Sequence, residues 1–133
     1  MKRDMDFIRE LLLKIERGES RFETLSTDDA HILGVTLDAP LSAEESERLI
    51  GHLDLLEQAN FIEIESKGSA GLYCVKGLTW EGHDFLDSVR DPIVWKKTKE
   101  GALAAGGWTP DLLKDLAKGF MRKQIAERTG VEL

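Results

Sequence analysis

A chain of 133 residues, 41% hydrophobic and 32% charged, is the size of one domain and has a globular composition, which argues against a disordered or membrane-embedded class. Its single cysteine, Cys74, excludes an intrachain disulfide, and no stretch approaches the roughly 20 apolar residues of a membrane helix. The net charge of −7 is unevenly spread: residues 1–91 hold 10 Lys and Arg against 20 Asp and Glu, while residues 92–133 hold 8 against 5. That asymmetry limits which surface can meet a polyanion. The opening "MKRDMDFIRE" is charged throughout, so a cytoplasmic location is expected.

From Asp4 to Arg17 the spacing predicts a helix. Phe7, Leu11, Leu12 and Ile15 recur at helical intervals, and Ile8 and Leu13 widen the stripe. Gly18 is its expected stop. Glu19 to Leu41 reads less simply. "RFETL" fits a short strand or a turn of helix, and "STDDAHIL" allows a short helix starting at Ser26 or Asp28. "GVTLDAP" alternates Val35 and Leu37 as a strand does, so a strand is expected near His31 to Leu37, ended before Pro40. The second helix of a helix-turn-helix has to lie within Glu23 to Leu33.

Ser42 to Asn60 is the clearest helix. Ser42 and Glu45 have capping-box spacing, and Leu49, Leu53 and Leu56 form an apolar seam with Ile50 and Ala59. "FIEIE" then alternates, "SKGSAG" supplies a turn, and "LYCVKGL" returns with Leu72, Cys74 and Lys76 on one face and Tyr73 and Val75 on the other. Thr79 caps a helix from Trp80 to Arg90. Pro92 opens a short helix through Lys99, "EGALAAGGW" reads as a flexible connection, and Thr109-Pro110 starts a last helix to about Arg128, closed by Gly130.

These elements give an α+β fold of winged helix-turn-helix type, with a β-hairpin wing and added C-terminal helices. Residues 1–91 form the winged-helix-like core and residues 92–133 a helical extension packing on it, one structural domain overall. "MKRDMDFIRELLLKIE", "HLDLLEQANFIE" and "LTWEGHDFLDSVRD", with the closing "LLKDLAK" and "TGVEL", resemble a family of short bacterial and prophage-associated proteins catalogued as a domain of unknown function. That resemblance implies a winged-helix-like fold and a phage or mobile-element setting. It implies no catalytic residue.

In such a fold the helix Ser42 to Asn60 would enter the major groove. It carries Glu44, Glu45, Glu47, Asp54 and Glu57 against Arg48 alone. Phosphate neutralisation supplies most non-specific DNA affinity, so this helix is repelled by a duplex. Arg48 and His52, one turn apart, with Lys67 and Lys76 on the wing, are the candidate DNA contacts. The C-terminal helix differs. Lys114, Lys118 and Arg122 form one stripe with Lys123 beside it, opposite Leu112, Leu116 and Phe120, widened by Leu113 and Met121. Lys96, Lys97 and Lys99 add a second basic group, and Trp108 joins them as a candidate interaction residue.

Enzyme chemistry is not expected. His31, His52 and His83 lack metal-ligand spacing, Cys74 suits a buried apolar role, and His83 and Asp84 are helix neighbours that do not face each other. "GSAG" and "AAGG" lack the lysine and hydroxyl residue of a phosphate loop. Trp80, Trp95 and Trp108 suit core or interface anchors. The expectation is therefore a protein-interaction module without catalytic, cofactor or metal sites, binding a protein partner that includes a second copy. The alternative is a DNA-binding transcriptional regulator that uses the basic C-terminal segment and the wing.

Overall fold

The structure is a computed structural model that describes residues 2–34, 36, 41–68, 70–104, 106 and 109–130. Along them run α1 (Met5–Glu16), β1 (Arg21–Glu23), α2 (Thr27–Leu33), α3 (Ala43–Gln58), β2 (Ile62–Lys67), β3 (Leu72–Leu78), α4 (Trp80–Val89), α5 (Pro92–Ala104) and α6 (Pro110–Thr129). Helices with one small antiparallel sheet make an α+β protein. The chain divides into two compact units, Met1–Gly82 and His83–Leu133, so α4 straddles the division, whereas the composition break read from sequence lies after it.

In the first unit the sheet order is β1-β3-β2, both pairings antiparallel, with Arg21 opposite Cys74 and Ile62 opposite Leu78. Asp4 caps α1 by accepting the Phe7 amide, and Ile8, Leu11, Leu12 and Ile15 form its buried face. The capping box of α3 is present in both directions, and Leu53 and Leu56 are buried. Leu49 and Ile50 are half-buried and Ala59 is exposed, so the seam is narrower than its spacing suggested. Tyr73 and Val75 face the core, and Cys74 is half-buried rather than the buried side chain expected.

The strand expected near His31 to Leu37 does not begin at His31, and its second half, with Val35 and Leu37, lies outside the described residues. His31, Ile32 and Leu33 belong to α2, whose N-cap Ser26 accepts the Asp29 amide and whose C-cap Gly34 adopts φ 69. Local capping at both ends fixes this short helix. The strand of this region is β1. There Thr24 donates its amide and hydroxyl to the Gly71 carbonyl, and Ser46 donates to the Thr24 carbonyl.

In the second unit α5 runs to Ala104 instead of ending at Lys99. Ala102 is fully buried, and Gly101 lies where an added Cβ would meet Leu116 at 3.5 Å and Phe120 at 3.8 Å. Packing of α5 on α6 thus carries the helix through "EGALA", against the glycine's own preference. Leu113 and Ala117 are the fully buried positions of α6, with Leu112, Leu116 and Phe120 half-buried. Thr109 accepts the Leu112 amide and Gly130 closes the helix at φ 72. Among the described residues no helix is long and apolar enough to cross a membrane.

Candidate functional site

The four candidate DNA contacts lie in the first unit, and each is engaged by its own chain. His52 is fully buried. Its Nε2 accepts the Asp4 amide at 2.9 Å, and its Nδ1 lies 2.7 Å from the Arg48 carbonyl. A backbone amide only donates and a carbonyl only accepts, so this geometry places the ring proton on Nδ1. Neither ring nitrogen is left for a base edge.

Arg48 bonds Asp4 at 2.6 Å and covers the Phe7 ring at 4.2 Å, while Phe7 packs on the His52 ring with centroids 5.0 Å apart. Burial raises the Asp4 pKa, but the Phe7 amide and then the Arg48 guanidinium outweigh it and hold the carboxyl below its usual range. The group therefore favours folding above the ordinary carboxylate range, and that contribution is lost as pH falls through its lowered pKa.

On the hairpin, Lys67 pairs with Asp54 at 3.1 Å and Glu57 at 3.3 Å, both on α3, and lies 5.4 Å from the Tyr73 ring. Its hydrogen bond to Asp54, ahead of that to Glu57, raises the ammonium pKa. Lys76 pairs with Glu63 at 3.7 Å. The hairpin lysines thus answer carboxylates of their own fold.

Tyr73 donates to Asp54 at 3.2 Å. Burial first, then the Asp54 charge, pushes its phenol above the ordinary 10.0. A raised pKa means that stability present below that value is lost as pH rises through the folded-state value. Tyr73 is the chain's only tyrosine, so ultraviolet titration of the phenolate reads it directly. The midpoint should lie above 10.0 and fall in Asp54→Asn; a parent midpoint at or below 10.0 would remove this coupling.

The second unit holds the other candidates. Lys114 pairs closely with Asp84, and Lys118 stands 4.0 Å from the same carboxylate. The Lys114 hydrogen bond lowers the Asp84 pKa, and Asp84 in turn raises that of Lys114. Lys99 lies 5.6 Å from the ring of Trp95, which is buried. Lys96, Lys97, Arg122 and Lys123 are exposed and have no ion-pair partner among the described residues. Ile93 and Leu103, 56% and 71% exposed, share the outer face of α5 with Lys96 and Lys97 by helical spacing. A cavity of about 170 Å³ between α5 and α6 is lined by Ile93, Val94 and Phe120 together with Lys97 and Lys123.

Trp108 lies outside the described residues. Trp80, at 85% exposure, is no core anchor, and His83 is exposed. Among the described residues no three His, Cys, Asp or Glu side chains gather as a metal site. The exposed apolar residues of α5 and the burial of His52 escaped sequence reasoning. The 93, 96, 100, 103 spacing carried a signal for the first, and nothing local carried one for the second.

Residues 2–108 match the model of a family described as "Hypothetical protein (DUF2513)". The chain is also similar to a protein of Haemophilus influenzae named "Uncharacterized protein", 33% identical over 130 residues, covering 95% of this chain and all of that protein. Comparison with solved structures gives no match. The family match covers most of the chain and the relative matches along its whole length; the chain therefore belongs to the DUF2513 family, a family of unknown function.

Proposed function

We propose that the chain is a non-enzymatic protein-interaction module with a winged-helix-like first unit, and that it associates with a second copy through the outer face of α5 and α6. The order helix, short strand, helix, helix, hairpin supports the fold reading. One observation carries the functional reading. Arg48, His52, Lys67 and Lys76 are engaged within the first unit, whereas Lys96, Lys97, Arg122 and Lys123 of the second stand exposed and unpaired, Lys96 and Lys97 on the face of α5 that carries Ile93 and Leu103.

An exposed face mixing large apolar and unpaired basic side chains suits a partner that is acidic and partly apolar. Residues 1–82 hold 17 Asp and Glu against 9 Lys and Arg, so a second copy supplies such a surface without a foreign ligand. A two-fold arrangement would make the contact twice and close the assembly. Sedimentation velocity of the parent should give a dimer, and Arg122→Glu with Lys123→Glu should shift it to monomer with unchanged circular dichroism. A monomeric parent at every concentration would defeat the reading.

The second reading is a DNA-binding regulator. The same unpaired cations favour it, because they are the ones available for phosphates. It leaves Ile93 and Leu103 without a role.

A further inference from the structure

We propose that the first unit binds a small monocarboxylate with an apolar body, in the cavity bounded by α1, β1 and the start of α3. The cavity measures about 250 Å³. Leu11 and Phe22, both buried, line it together with the half-buried Phe7, Leu41 and Leu49. Apolar walls around a concave space favour an apolar guest, because contact removes hydrocarbon surface of both partners from water.

The polar groups decide which guest. Three charged side chains line the cavity: Lys14, Glu45 and Arg48. Glu45 accepts the Ser42 amide at 3.1 Å within the capping box of α3. Arg48 bonds Asp4 and covers Phe7, so its charge is already answered. Lys14, in the last turn of α1, has no ion-pair partner among the described residues. With Glu45 held in the first turn of α3, where the positive end of the helix offsets its charge, and Arg48 paired to Asp4, the unpaired Lys14 ammonium beside apolar walls selects a carboxylate head on an apolar body and disfavours a cation of the same shape. The cavity lies wholly within one compact unit, so the inference is independent of the self-association proposed above.

The test titrates the full chain with octanoate, 1-octanol and octylamine, read by calorimetry and by amide NMR shifts at Phe22 and Leu49. Octanoate should bind, octanol about tenfold more weakly for want of one charge-assisted bond, and octylamine not at all. Lys14→Met should equalise octanoate and octanol. Leu49→Trp, which fills the space, should abolish both. If that variant misfolds, the half-buried Lys14 site still decides the matter through the preference for the anion. No shift at Phe22 or Leu49 with any of the three probes would overturn the proposal, as would an octanoate preference that survives Lys14→Met.

Discussion

Replacing Gly82 with alanine should lower the stability of the chain by about 3 kcal/mol, near the upper end of ordinary overpacking effects. A Cβ built at Gly82 would stand 2.0 Å from the carbonyl oxygen of Phe61 and 2.9 Å from its carbonyl carbon. Both obstacles are backbone, so no rotamer change relieves them. The carbonyl is also fixed in place. It accepts the Thr79 amide at 3.0 Å, while the Thr79 hydroxyl donates to Asn60 and receives the Gly82 amide at 3.0 Å. Asn60 holds φ 61, the left-handed turn from α3 into β2. Moving Phe61 would therefore disturb the turn, the cap of α4 and the end of the hairpin together.

The same substitution at Gly101 should act in the opposite direction. There the new Cβ meets only side-chain atoms of Leu116 and Phe120 at 3.5–3.8 Å, ordinary contact, in the interior of a helix. Alanine is the better helix former by about 0.8–1 kcal/mol, so Gly101→Ala should stabilise by up to that amount. Denaturant unfolding of the two variants checks the pair. Equal stability of Gly82→Ala and parent would contradict the close approach.

His52→Leu should cost about 2 kcal/mol of stability, the penalty for leaving a partly buried amide without its acceptor. The Asp4 amide loses its acceptor, the Phe7 ring loses its aromatic neighbour, and the Arg48–Asp4 pair loses the side chain that backs it. Asp4 is also the N-cap of α1, so loosening it weakens the start of that helix. The prediction separates two roles for one residue. A structural His52 shows as lost stability; a base-reading His52 would show as lost nucleic-acid affinity at unchanged stability.

These residues mark how far the sequence was legible. Helix α3 could be read because its signals are local: Ser42 and Glu45 at its start, and leucines at helical spacing. The hairpin was legible through alternation and its glycine turn. Helix α2 was not, because seven residues capped by Ser26 and Gly34 compete with the more visible alternation of Val35 and Leu37. The continuation of α5 through Gly101 depends on Leu116 and Phe120, which come later in the chain. His52 meets an amide 48 residues away, so its spacing from Arg48 looked like a surface pair. The acidity of α3 was plain from composition, but that its carboxylates Asp54 and Glu57 hold the hairpin lysine Lys67 needed three dimensions. On α6 the basic stripe was legible, whereas the pairing of Lys114 with Asp84 was not, which leaves Arg122 and Lys123 as its unpaired members.

Sedimentation velocity of the chain mixed with a labelled random-sequence duplex at low salt tests the choice of partner most directly. The duplex should sediment alone while the chain sediments as a dimer. A duplex that travels with the chain, is released by salt, and is freed again by Lys118→Glu with Arg122→Glu would contradict the proposed preference for protein over DNA.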